Sequence, residues 1–346
     1  MNVELVGLGD DGGAWDRFVD AMPSATIFHR RAWRRALAAE FGFTACDLLV
    51  RRHGEIAGVL PLCEVRVPFG RPVLLSQPFC VEAGVCARDD ESAQALAAAA
   101  VELGRDRGVE YVELRDQHRD AGFVRMPATH GVFRGEIPDD RDRHWRAMSA
   151  VRRNMVRRAR RDGLSLRTGT EQLDSFYDVY ARSLRRLATP VFPRTWLRRL
   201  VDELGDRSLL SVVWRDDLPV AGVLSFVFRD TILPYYAGSR RDAPSRGAND
   251  LMYWELMDLA RARGLVRFDF GRSRIDSGAW DFKRHWGFTP QLLTYRRCAA
   301  AGALPTGSTD ATTAMALARR LWPRLPLSLT KWLGPPLIRR IGALHT

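Results

Sequence analysis

Part of this chain is written twice. The segment VVWRDDLPVAGVLSF (212–226) matches LVRRHGEIAGVLPL (49–62), and Ala57-Gly58-Val59-Leu60 lies 164 positions (221 − 57) before Ala221-Gly222-Val223-Leu224. The segment LGRDRGVEYVEL (103–114) matches LARARGLVRFDF (259–270), with Arg107-Gly108 lying 156 positions (263 − 107) before Arg263-Gly264. In this alignment Glu113 falls opposite Asp269. Two matched segments in the same order, with an offset that changes by only eight (164 − 156), point to an internal duplication. Each copy reads as a hairpin, a helix, a glycine stop and a strand. Val266, Phe268 and Phe270 alternate with Arg267 and Asp269, the period of a strand, and Gly264 before them marks a helix end. At 346 residues the chain exceeds the size at which one core keeps growing, so two domains are expected.

The rest of the pattern fits around these copies. Residues 1–22 read as a strand and the start of a short helix. Phe28-His29-Arg30-Arg31-Ala32-Trp33 opens a helix to about Glu40. Strands are expected at 46–50 and 56–63 around the turn 51–55, and an irregular Pro- and Gly-rich stretch at 68–90. An Ala/Leu helix over 92–107 leads to a strand at 109–114. Between the copies, residues 144–163 read as one basic helix with Met148, Val151, Met155 and Ala159 as its apolar stripe. Helices follow at 176–187, 195–204 and 251–263, with strands at 209–214, 220–228 and 231–237. Residues 299–314 read as a linker, and 315–346 as an amphipathic tail whose prolines forbid one long helix.

Charge narrows the partners. The net charge of +12 favours an anionic partner: nucleic acid, a phosphorylated substrate or a membrane surface. Of 53 basic residues only Lys283 and Lys331 are lysines, leaving 51 arginines (53 − 2). Lysine is a compact point charge whose pKa moves on burial, so its retention in DFKRHWGF (281–288) singles out Lys283. The five cysteines are odd in number and match no zinc spacing, so reduced thiols and no metal site are expected. No apolar run of the roughly 18 residues a spanning helix needs is present, and residues 1–13 lack the pattern of a signal peptide. The expected setting is cytoplasmic, with a peripheral place at the inner face of the membrane open through the tail.

The motifs RRNMVRRARRDG (152–163), FYDVYARSLRRLATPVFP (176–193), DFGRS (269–273) and DFKRHWGF (281–288), with FHRRAW (28–33), AGVLPL (57–62) and SQPF (76–79), resemble the FemAB family of tandem GNAT-like transferases. The likeness spans residues 25–298. The tail 320–342 resembles that of a FemAB subgroup associated with exosortase and PEP-CTERM systems. The resemblance implies an α+β fold of two GNAT-like domains, at 1–143 and 144–298, with mixed sheets flanked by helices. It also implies acyl or aminoacyl transfer to an amine of a cell-envelope or exopolysaccharide-related precursor, without a covalent enzyme intermediate. The donor would be aminoacyl-tRNA or acyl-CoA, with no permanently bound cofactor.

By the same resemblance Lys283 is the residue beside the reacting carbonyl. An ammonium there can stabilise the oxyanion that forms when an amine attacks an ester. Asp269 would orient the substrate amine or Lys283. Arg272 and Ser273 would line the cleft and Tyr236 would be a hydrogen-bonding wall. Arg152, Asn154, Arg186 and Arg35 (or Arg34) would contact acceptor phosphate. Arg246, Gly247 and Ala248 stand where a GNAT loop would cradle a CoA pyrophosphate, without that motif's spacing. Plainer readings stand beside these: a turn cap for Asp269, core packing for Tyr235-Tyr236, and packing for His285 and Trp286. Two other functions fit the same residues: a CoA-dependent N-acyltransferase, and a non-catalytic scaffold that holds RNA or membrane by its basic face.

Overall fold

The computed structural model describes residues 2–9, 13–67, 70–118, 122–242, 246–300, 302, 304 and 320–342. Contacts divide the chain into one unit of residues 1–128, 293–310 and 336–346 and a second of 129–292 and 311–335.

The first unit contains β1 (Val3–Val6), α1 (Ala14–Ala21), α2 (Arg31–Phe41), β2 (Thr44–Ala45), β3 (Asp47–Arg52) and β4 (Glu55–Leu60). It continues with β5 (Cys63–Val65), β6 (Val73–Leu75), β7 (Cys86–Ala87), α3 (Asp90–Asp106), β8 (Tyr111–Leu114) and β9 (Val124–Arg125). Its strands form two sheets, β1-β3-β4-β7 and β2-β5-β6-β8-β17-β9, where β17 (Arg296–Ala299) comes from far along the chain. Leu48, Val50, Leu60, Leu96 and Val112 are among the side chains of its core, against the apolar face of α3.

The second unit runs β10 (His130–Glu136), α4 (Arg141–Ala147), α5 (Ala150–Arg161), β11 (Leu164–Thr168), α6 (Leu173–Arg186), α7 (Arg194–Leu204), β12 (Ser208–Arg215), β13 (Leu218–Phe228) and β14 (Thr231–Ser239). It closes with α8 (Ala248–Ala262), β15 (Arg267–Arg274), α9 (Gly278–Arg284) and β16 (Pro290–Leu293). One seven-stranded sheet, β11-β12-β13-β14-β15-β10-β16, carries them. The fold class is α+β with mixed sheets flanked by helices, as the sequence leads one to expect.

The duplicated segments occupy matching places. Ala57–Leu60 lies in β4 and Ala221–Leu224 in β13; Glu113 lies in β8 and Asp269 in β15. Each copy has a parallel strand pair joined at only two residue pairs: Leu74↔Val112 and Leu75↔Glu113, then Thr231↔Arg267 and Ile232↔Phe268. Beyond those pairs β14 and β15 diverge.

Three features differ from the sequence reading. The division falls at 128/129 rather than 143/144, because β10 pairs antiparallel with β15 along Arg134↔Asp269 and His130↔Arg274. In turn β17 pairs with β8 in the first unit. Each copy is therefore completed by a strand outside the duplicated segments, β10 before the second copy and β17 far after the first, which the hairpin–helix–strand pattern does not reveal. The basic helix is two helices: Met148 ends the first, and Ser149 restarts the second by accepting from Arg152 N–H. The restart shifts the buried stripe to Val156 and Ala159 and leaves Val151 exposed. Of the expected linker at 299–314, most residues lie outside the described ones, as do 315–319 and 343–346 of the tail. Within the second unit the tail helix Leu327–Leu337 docks on α6 through Lys331 Nζ to Asp178 at 3.0 Å, and Arg185 donates to the Leu325 carbonyl. Among the described residues no helix is long and apolar enough to cross a membrane.

Arg34 and Arg35 show how burial separates neighbours. Arg34 is buried on α2 and donates to Asp47, to Gln77 Oε1 at 2.9 Å and to the Leu62 carbonyl at 2.8 Å. Arg35 is exposed. Removing one partner of a buried ion pair costs about 3–5 kcal/mol, whereas surface changes stay within about 0.5 kcal/mol. Arg34→Met should therefore lower the urea midpoint of the first unit by an amount matching that loss, with Arg35→Met near wild type; equal midpoints would contradict the assignment.

Candidate active site

Four of the expected site residues of the second unit meet where β15 ends. Gly271 sits in β15 with φ +67°, a left-handed conformation that glycine accepts freely. Asp269 holds this turn: its Oδ1 accepts from the Gly271 N–H at 2.7 Å, and its Oδ2 accepts from Arg134 Nε at 2.7 Å. The turn brings the carbonyls of Gly271 and Arg272 toward α9. There Ser277 caps the helix by accepting from Trp280 N–H, and one turn later Lys283 Nζ donates to Gly271 O at 3.1 Å and to Arg272 O at 3.0 Å. The Nζ also lies 5.6 Å from the centroid of the Phe133 ring.

Lys283 is only 9% exposed. Burial, assisted by repulsion from Arg272 and partly offset by Asp269, pulls its pKa from 10.5 down to about 7. His130, half-buried beside Arg272 and Arg274, is pulled down to about 4, burial being the larger cause. Ser273 lies next to them, buried, with an Oγ that has no hydrogen-bond partner. Lys283, Asp269, Arg272 and Ser273 are thus gathered at one strand end. Asp269 makes no hydrogen bond to Lys283; it sets the Gly271 turn and acts on the amine by its charge.

The other expected residues lie elsewhere. Tyr236 is buried in an aromatic cluster with Tyr180, Phe192 and Phe226, and its hydroxyl accepts from Trp196 Nε1 at 3.0 Å. Arg152 pairs with Asp250 at 2.8 Å and lies over the Phe282 ring, while its buried Nε has no partner. Asn154 points to solvent. Arg186, at the end of α6, donates to Ser183 Oγ at 3.3 Å. Its Nε is buried without a partner, and burial together with Arg241 lowers its pKa. Two guanidinium groups drawn together in this way favour an anion. At the start of α8, Gly247 has φ +91° and packs so tightly that a Cβ there would lie 2.4 Å from the Met155 carbonyl. Ala248 is half-buried and Arg246 exposed. Asp250, in the first turn of α8, has its pKa raised by burial, against the pull of Arg152.

The basic face of α5 is largely committed. Arg160 pairs with Glu255 and Arg153 donates to the carbonyls of Arg146 and Met148. Arg157 stacks on Trp145. The residue sequence reasoning missed is Arg134, since β10 was not anticipated as a strand. The only hint was the pairing of Asp269 with an acid in the other copy. Among the described residues no cluster of His, Cys, Asp and Glu could hold a metal.

Residues 146–284 match the family model described as an acetyltransferase (GNAT) domain. Solved structures share the fold over both halves. FemX is 16% identical, with a TM-score of 0.69 over 86% of this chain and 97% of its own. L-PGS from Bacillus licheniformis is 14% identical, with a TM-score of 0.57 over 91% and 98%. A tandem GNAT protein from the clavulanic acid biosynthesis pathway is 14% identical, with a TM-score of 0.54 over 87% and 99%. No curated protein sequence matches the chain. Residues 146–284 thus match a GNAT acetyltransferase domain, and the chain shares its fold over both halves with FemX and the tandem GNAT protein.

The depressed Lys283 gives a pH signature. Between pH 7 and 10.5 the unfolded lysine holds its proton while the folded one has released it. The unfolded state binds more protons there, so stability rises with pH across that window. The stability of wild type relative to Lys283→Met should increase from pH 7 to pH 10 in denaturant titrations; a flat difference would show that the amine is not held neutral.

Proposed function

We propose that this protein transfers an aminoacyl or acyl group to a primary amine of a cell-envelope or exopolysaccharide-related precursor, without forming a covalent enzyme intermediate. The observation that carries this reading is the buried Lys283 amine at the end of β15, inside the segment that matches the GNAT model. Lys283 faces the carbonyl under attack and stabilises the oxyanion. Asp269 sets the Gly271 turn, Arg272 and Ser273 line the cleft, and Tyr236 is a rigid wall. Arg186 with Arg241 binds acceptor phosphate, with Arg152 and Asn154 as further phosphate contacts within the second unit. A subgroup-like tail, associated with exosortase and PEP-CTERM systems, supports an envelope acceptor, lipid-linked or small. Trp332, 72% exposed on the tail helix, and exposed Arg324 support a peripheral place at the inner membrane face.

Aminoacyl-tRNA is the donor we favour. The start of α8, where a pyrophosphate would sit beside Arg246, Gly247 and Ala248, already meets the Met155 carbonyl and carries the Asp250 carboxylate. Both oppose the positive field that a helix N-terminus offers a phosphate. The GNAT match supports acyl-CoA as the second reading. Calorimetry should give saturable binding with charged tRNA and none with acetyl-CoA; the reverse would establish the CoA reading. Transfer by Lys283→Arg should fall on the order of 100-fold or more, since a planar fork cannot replace a point charge.

A further inference from the structure

The hydrogen bonds of Lys283 can be counted. Nζ donates to the carbonyls of Gly271 and Arg272, and among the described residues no carboxylate bonds to it. The charged groups around it are Asp269 and Arg272 on β15, with Arg134 on β10 bound to Asp269; Asp281 and Arg284 on its own helix are exposed. An ammonium has three N–H donors, and a buried donor left without an acceptor costs about 1–3 kcal/mol. A neutral amine has two, and both are satisfied here. The remaining tetrahedral position is then a lone pair.

We propose that Lys283 enters the reaction as a neutral amine that accepts a proton from the acceptor's ammonium, and that Arg134 is the positioning residue that keeps it neutral by compensating the charge of Asp269. This rests on the reading of Lys283 as the group beside the reacting carbonyl. The lone pair takes one proton from R–NH3+, freeing the amine to attack the ester carbon. The new ammonium then faces the oxyanion. As the C–O bond breaks, Lys283 gives that proton to the leaving oxygen and takes the second proton from the nitrogen of the tetrahedral adduct. One amide and one alcohol form, and Lys283 releases one proton to solvent. The lowered pKa of the buried amine suits this exchange at neutral pH. Without Arg134, the charge of Asp269 would be uncompensated and would hold the amine protonated.

The chain's two lysines make the test direct. Lysine-selective isotope labelling gives two side-chain signals, and Lys331→Arg assigns them. The Lys283 signal should titrate near pH 7, move up by more than one unit in Arg134→Met and less in Arg134→Lys, and move down in Asp269→Asn. A wild-type midpoint above pH 9 overturns the proton-acceptor role while leaving the oxyanion role standing. A midpoint unchanged in both Arg134→Met and Asp269→Asn overturns the positioning role, which a merely structural contribution would not move. If Lys283 titrates near 7 yet Lys283→Ala still transfers aminoacyl groups at the wild-type rate, the functional reading fails instead.

Discussion

A carboxylate clamped by an arginine from a strand outside its own repeat underlies both halves of this protein. Asp269 of β15 receives Arg134 from β10; Glu113 of β8 receives Arg297 from β17. In each case the two residues are direct cross-strand partners, Arg134↔Asp269 and Arg297↔Glu113. The acids are the pair that the duplication aligns. A buried carboxylate is costly unless paired, so each copy depends on a strand supplied from elsewhere in the chain. In each copy the clamping strand therefore lies outside the duplicated segments themselves.

From that shared clamp the copies diverge two residues later. In the first, position 115 is an arginine, buried, bonded to Glu113 and to the Cys80 carbonyl. Its backbone is stitched to the facing chain: Arg115 N–H donates to Ser76 Oγ at 2.7 Å, and the N–H groups of Ala83 and Gly84 donate to its carbonyl. The fork between β6 and β8 is filled by the protein itself. In the second, the matching position is Gly271, which has no side chain; the turn exposes carbonyls instead, and Lys283 reaches them. One copy fills the position with a buried arginine side chain; the other leaves it without a side chain, and Lys283 meets its carbonyl.

The sequence revealed the duplication and the order of helices and strands in the second half, because local periodicity carries those signals; the rarity of lysine singled out Lys283, which the structure buries against the Gly271 turn. It hid β10 and β17, whose partners lie 135 and 184 residues away at Arg134–Asp269 and Arg297–Glu113. No local pattern reports a pairing of that range. It also hid which of two adjacent arginines is buried, as Arg34 and Arg35 show, since helical phase on a short basic segment is set by packing. Tyr236 read as a wall or as core; its hydroxyl proves bound to Trp196 inside an aromatic cluster. The split of α4 from α5 turned on Ser149, a cap whose role depends on where the preceding helix stops.

The most direct test of a filled copy beside an open one is amide hydrogen exchange with and without donor, either charged tRNA or acetyl-CoA. The account predicts donor-dependent protection along 233–239 and 269–274 of the second unit, with 76–85 and 111–116 of the first unit unchanged. Protection at the first set of strands in place of the second would contradict it.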